Sequence, residues 1–188
     1  MTFAVNHLGY FLLTALFLDS LLSASEGHVI NVSGERHRSA DSDFERCLNP
    51  LTFERRYALS AAKLANIVFT LELAERLCNT RVSVNAVHPG TVATRALTNG
   101  RLIPRLKHMY CARKGGMISA RKGANTVVFM ATSPDMRGVT GRYYYCRKLL
   151  EPSPVSKTPE AAGKLWKMRL EMTHLDDAIG SGWKYLKP

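Results

Sequence analysis

The stretch RRYALSAAKLANIVFTLELAERLCNTRVSVNAVHPG, residues 55–90, changes period part-way along. Its first part sets Leu59, Leu64, Ile67, Val68, Leu71 and Leu77 along one side of a helix, with Arg55, Glu72, Glu75 and Arg76 outward. That helix is read over residues 53–77 and ends at Cys78-Asn79. The second part, RVSVNAVHPG, alternates β-branched residues and stops at Pro89-Gly90, which marks a strand running into a loop. A long helix feeding an apolar strand is the unit from which α/β sheets are built.

The same alternation extends outward in both directions. Upstream, GHVINVS (27–33) is a short β-branched run after a glycine and reads as a buried parallel strand. Before it, residues 3–22 carry apolar side chains on nearly every helical face, as expected of a helix sandwiched between a sheet and another surface. Residues 34–53 are polar and irregular. Downstream, residues 91–118 show no steady period and read as a mobile segment with one short helix. Residues 119–132 form a helix, GRYYYC (141–146) a third strand, and Thr158 caps a helix that opens at Pro159 and runs to residue 173. The expected fold is α/β, with about three parallel strands and helices on both faces, over one domain at residues 1–175. Residues 176–188 read as a loose tail.

Composition narrows the function classes. At 188 residues, 46% hydrophobic and 22% charged, the chain is long enough for one soluble core. The net charge of +11 attracts phosphate in general, but the basic residues are scattered and form no stripe, so no specific nucleic-acid partner is expected. The four cysteines, Cys47, Cys78, Cys111 and Cys146, have no CxxC pair and read as free thiols in a reducing compartment. His7, His28, His37 and His88 read as structural or exposed, and no metal site is expected. The N-terminal stretch lacks a basic region and holds Asn6, His7, Gly9 and Asp19, which argues against a signal peptide. A cytoplasmic location, or a peripheral one on the cytosolic side of a membrane, follows.

Four motifs occur in order: VNHLGYFLLT (5–14), HVINVSG (28–34), SAAKLANIVFT (60–70) and VNAVHPGTVATRAL (84–97). Together with GVTGRYYY (138–145), they closely resemble the short-chain dehydrogenase/reductase family, in its retinol dehydrogenase and X-linked dehydrogenase/reductase branch, over about residues 2–175. The resemblance implies a partial Rossmann-like, doubly wound parallel sheet corresponding to the C-terminal portion of the family domain. It also implies hydride transfer between NAD or NADP and a lipophilic alcohol or carbonyl. The family uses a tyrosine as general acid/base, with a lysine four residues later on the same helix face. By that match Lys63 is the lysine, which also binds the nicotinamide ribose, and Asn6 is the asparagine that organises a proton-relay water. Ser33 fills the first of two serine positions and Gly34 the second, catalytic one. Leu59 stands in the tyrosine's place.

Neighbours do not readily substitute. Tyr57 precedes Lys63 by six residues, which at ~100° per residue puts the two about 120° apart around the helix. Ser60 lies three before Lys63, but a serine hydroxyl lacks a phenol's acidity. Tyr57 and Ser33 are therefore displaced candidates, usable only with distortion. On the cofactor side, Pro89, Gly90, Val92 and Thr94 match family contacts to the nicotinamide and phosphates. No GxxxGxG turn occurs in the sequence, so dinucleotide binding by this chain is expected to be poor. The leading expectation is an oxidoreductase-family chain with impaired catalysis. The alternative is a non-catalytic subunit that forms a homo- or hetero-dimer through the first helix and the helix at residues 57–77. A basic membrane-peripheral or nucleic-acid-binding protein is the remaining reading.

Overall fold

The computed structural model describes residues 1–93, 117–175 and 184–186. A π-helical turn, Ala4–Leu8, runs directly into α1, Gly9–Ser23. β1 (Gly27–Val32), α2 (Arg55–Arg76), β2 (Val82–His88), α3 (Ala120–Thr132), β3 (Arg142–Tyr145), β4 (Lys148–Leu149) and α4 (Pro159–Thr173) follow. Among the described residues the sheet order is β1-β2-β3-β4. The first three strands are parallel, with Val29 opposite Val84 and Ala86 opposite Tyr143.

β4 was not expected. It pairs antiparallel with β3, Tyr144 opposite Leu149, across a hairpin in which Cys146 and Arg147 have φ of 50° and 62°. Two successive positive-φ residues give the turn that matches strand twist, but they are usually asparagine and glycine, so cysteine and arginine hide it. The cap at Thr158 was legible, its hydroxyl accepting from the Ala161 amide at 3.3 Å; the Ser119 hydroxyl, which accepts from the Lys122 N–H at 3.2 Å, caps α3 without having been read as a cap.

α1, α2 and α4 cover one face of the sheet, and α3 the other. On the first face Phe11, Leu18, Phe69, Leu73, Val84 and Trp166 form one cluster. On the second, Met130 and Met136 pack on Val87, with Ile30 and Val32 beside them. Each fully buried large side chain contributes ~1.5–3 kcal/mol through removal of apolar surface from water.

The sandwich expected for the first helix is only half made. Phe11, Ala15 and Leu18 are buried, while Leu13, Leu16 and Phe17 remain 57–58% exposed. Glu72, expected outward, instead lies under α4, where its carboxylate pairs with Arg76 at 2.8 Å and faces Arg169 at 3.8 Å. Arg169 is wholly buried, its guanidinium 4.7–5.1 Å from the ring centres of Trp166, Phe69 and Phe11. Burial holds that guanidinium down to about 9, against the opposing pull of Glu72. Within the segment expected to be loose, Leu186 is buried and its carbonyl accepts from the Trp166 indole at 3.0 Å. Most of the segment expected to be mobile, residues 91–118, lies outside the described residues, as does Cys111. Cys47 is buried, while Cys78 and Cys146 are exposed; all three are free thiols.

Candidate active site

The motif residues meet where β1 ends against α2. Lys63 leans from α2 onto the last carbonyl of β1, its Nζ 2.9 Å from Val32 O. Burial lowers the ammonium's pKa. One turn later, Asn66 Nδ2 donates to the same Val32 O at 3.2 Å and to Asn6 O at 3.1 Å. Both donors of the amide are then engaged, so Asn66 Oδ1 is left to accept from His7 Nδ1 at 2.8 Å. His7 Nε2 has no hydrogen-bond partner, and burial, reinforced by the Arg169 charge, pushes this imidazole down to about 3. Asn6 belongs to the π-helical turn, and its own amide donates to Thr2 O at 2.9 Å. Ser33 faces α2: its Oγ donates to Lys63 O at 2.7 Å and its backbone N–H to Val87 O at 2.9 Å.

The structure thus gathers Asn6, Ser33 and Lys63 into one network, with Asn66 and His7 as members that sequence reasoning had not assigned. The signal was present in the spacing, since Asn66 lies three residues after Lys63 and on its side of the helix. Tyr57 is not part of the network. Its hydroxyl donates to the Asp41 carboxylate and to Asp43 O at 2.9 Å, and Arg46 lies 4.4 Å over its ring. Burial and then Asp41 raise its phenol well above the usual range, so it is a structural clamp on the loop before α2. Leu59, which the family match sets in the place of the acid/base phenol, is half-buried. A different tyrosine, Tyr10 of α1, comes near the lysine, with 6.0 Å from Lys63 Nζ to its ring centre; burial raises its pKa as well.

Gly34 is extended at φ 162°, and a Cβ there would meet only His88 Nδ1 at 3.8 Å. Nothing in the backbone therefore forbids serine at this position. His37, buried beside it, donates from Nδ1 to Gly34 O at 2.7 Å and accepts from the Ser153 N–H at Nε2, 3.0 Å away. That pair of bonds fixes one neutral tautomer.

The loop after β2 is set by packing. Gly90 has φ +86°, and a Cβ on it would lie 2.7 Å from Ile118. Its N–H donates to His88 Nδ1 at 3.2 Å, and the His88 ring stacks on Tyr145 at 4.7 Å. Val92 bridges to Ile118, and its side chain presses on Gly123 of α3, where a Cβ would come within 2.5 Å. Pro89, Gly90 and Val92 thus form an ordered rim, while Thr94 lies outside the described residues. No group of three or more His, Cys, Asp or Glu suited to a metal occurs among the described residues.

The sequence profile of the short chain dehydrogenase family matches residues 1–102. The chain belongs to the short-chain dehydrogenase family. This family member is 36% identical to human retinol dehydrogenase 14 over 167 residues, which cover 88% of it and 50% of that relative. It is 33% identical to human retinol dehydrogenase 12 over 168 residues (89% and 52%), and 35% identical to human retinol dehydrogenase 13 over 176 residues (88% and 51%). A crystal structure of a putative uncharacterized protein from Mycobacterium paratuberculosis superposes with a TM-score of 0.65 at 26% identity, covering 93% of this chain and 59% of that one. The short-chain dehydrogenase fold is thereby shown, and the chain spans about half the length of the retinol dehydrogenases it matches. The family uses NAD(P). In this member Lys63 Nζ is held by Val32 O, and Leu59, four residues before it on the same helix, carries no titratable group.

Proposed function

We propose that this chain is a member of the short-chain oxidoreductases that does not turn over by itself. The observation that carries the reading is the fate of Lys63: its ammonium caps the carbonyl of Val32, while Leu59 fills the proton donor's place four residues earlier. A hydride-transfer site needs a titratable group within hydrogen-bond reach of the reacting oxygen. Tyr57 is tied to Asp41 and Asp43, and Ser33 is tied to Lys63 O. The ancestral substrate class is a lipophilic alcohol or carbonyl, by analogy with the retinol dehydrogenases. Incubation with NADPH and all-trans-retinal, or NAD and retinol, is expected to give no product above a heat-treated control. Sustained turnover that is lost in Lys63→Ala would overturn the proposal.

A second reading, that the chain acts as a non-catalytic partner of another chain, is supported by the exposed apolar face of α1. Val5, Leu13, Leu16 and Phe17 are each more than half exposed. α4 lies across the neighbouring part of α1 and α2, with Trp166 against Phe11 at 5.8 Å, so the helix pair expected as a dimer interface offers mainly its α1 side. Cross-linking to a complete retinol dehydrogenase at micromolar concentration tests this reading. The same face also fits the expected peripheral membrane role, for which flotation with neutral and anionic vesicles is the check.

A further inference from the structure

Charge is distributed unevenly along the chain. Residues 117–150 hold Arg121, Lys122, Arg137, Arg142, Arg147 and Lys148 against one acidic residue, Asp135. The fold brings three of these cations together. In α3, Arg121, Asn125 and Val128 follow one another at helical spacing and are exposed, away from the buried Gly123, Thr126 and Met130, with Lys122 exposed beside them. The β3–β4 hairpin leans on this stripe: the Arg147 guanidinium donates to Asn125 Oδ1 and lies 5.5 Å from the Phe129 ring centre. Both of these neighbours are neutral, so the charge of Arg147 is held in place without being cancelled.

Acidic groups do not neutralise the cluster. Among the described residues none of the ion pairs includes Arg121, Lys122, Arg147 or Lys148. Glu35, whose charge reaches Tyr145 of the hairpin, is paired with Arg38 at 2.9 Å, and Asp135 lies beyond the far end of α3. The N-terminal turn of α3 adds the positive end of the helix dipole beside Arg121 and Lys122. Apolar groups are interleaved with these cations: Val128 and Leu149 are 55% and 56% exposed, and Tyr145 is exposed as well. Aliphatic side chains gain nothing against a phosphate backbone, and Asn125, the polar group of the stripe that could read a base, is already bonded to Arg147. Cations among exposed aliphatic and phenolic groups suit the headgroup level of a bilayer, where both find partners.

We propose that the outward stripe of α3 and the β3–β4 hairpin form a docking surface for an anionic bilayer, with Arg121, Lys122 and Arg147 at the headgroups and Val128 and Leu149 entering the interface. The proposal rests on the peripheral membrane role named above and moves it to the face of the sheet opposite α1. A flat bilayer meets one of these two faces at a time. Each cation near such a surface raises the partition coefficient about fivefold, equivalent to ~1 kcal/mol, and the attraction fades within a Debye length. Three such charges give reversible, salt-sensitive binding rather than insertion. The successive positive φ values at Cys146 and Arg147 and the bond to Asn125 set the hairpin tip before contact, which lowers the ordering cost.

The test is flotation of the 188-residue chain with vesicles of phosphatidylcholine alone and of phosphatidylcholine mixed with phosphatidylserine. Binding is expected to the mixed vesicles only, and to vanish near ~1 M salt, where the Debye length is about 3 Å. Arg147→Gln should lower the partition coefficient about fivefold, and Arg121→Gln, Lys122→Gln and Arg147→Gln together about a hundredfold. Val128→Asn should weaken binding without removing a cation, while Leu16→Glu on α1 should leave it unchanged. Spin-labelled lipid in the mixed vesicles should broaden the methyl signals of Val128 and Leu149 in the wild-type chain more than those of Leu16, a readout that needs no variant to fold. Absence of binding, or equal binding to neutral vesicles, would overturn the proposal. Broadening centred on Leu16, or binding lost in Leu16→Glu and kept in the triple variant, would overturn it in favour of α1 and leave the peripheral role standing. Tighter binding of duplex DNA at the same salt, lost in the triple variant, would overturn it in favour of a nucleic acid. Cofactor binding and turnover do not enter these readouts, so the catalytic reading stands or falls separately.

Discussion

α1 and α2 are both long, apolar helices on the same face of the sheet, yet α2 buries thirteen of its twenty-two residues and α1 three of its fifteen. α2, and α1 taken together with the π turn before it (Ala4–Ser23), are apolar and long enough to cross a membrane, but α2 is the core helix of an α/β layer. α2 has strands beneath it, α1 on one flank and α4 above, whereas α1 meets β1, α2 and α4 along one face and, among the described residues, leaves Leu13, Leu16 and Phe17 more than half exposed. Apolar composition alone thus does not say how many faces of a helix are covered. The covering is a property of the sheet, in which β1 is an outer strand among the described residues.

Substitutions break or sharpen that contrast. Phe69→Ala, in α2 among Phe11, His7 and Trp166, is expected to cost about 3–5 kcal/mol, read as a lowered denaturant midpoint. A denaturant slope that falls along with the midpoint would show instead that the native state had loosened.

Acid should also act on the buried side. His7 is neutral in the folded chain down to about pH 3 but titrates near 6.5 when unfolded. Its folded pKa is depressed, so the unfolded state binds more protons below pH 6.5. Stability is full above that pH and falls toward pH 3 by up to ~1.4 kcal/mol per pH unit. His7→Gln, which retains a donor for Asn66, should flatten that part of the profile in denaturant midpoints taken from pH 7 to 4.

Asn66→Ala removes two donors and leaves His7 Nδ1 unpartnered, an expected loss of ~1–3 kcal/mol. Two-dimensional NMR should show the Lys63 and Asn6 regions shifting together. Phe17→Ala, on the open side of α1, should change stability by less than ~0.5 kcal/mol. A large loss there would mean that α1 is covered in solution. The smallest effect is expected from restoring the missing groups: Leu59→Tyr with Gly34→Ser should fold and remain inactive, because Gly34 already has an extended backbone with room for a side chain, while Lys63 stays engaged.

Much of this layout was legible from residue patterns. The β-branched runs at 27–33 and 81–88, the cap at Thr158, and the order KLAN then HPG located the elements. Periodicity did not reveal who satisfies whom across the fold. That Lys63 serves Val32 O, that Glu72 is drawn inward by Arg169, and that Tyr57 belongs to Asp41 are all contacts between residues far apart in sequence or across a loop. The π turn at Asn6 and the Cys146-Arg147 hairpin also carry no composition signal, since neither uses the residues that usually mark such turns.

The central proposal is that Lys63 serves as a structural cap and that the chain does not assemble a cofactor and acid/base site. It is tested most directly by titrating the chain with NADPH and with NADH while following tryptophan-to-nicotinamide energy transfer. The account predicts no saturable signal at micromolar cofactor. A saturable micromolar response that disappears in Lys63→Ala would contradict it.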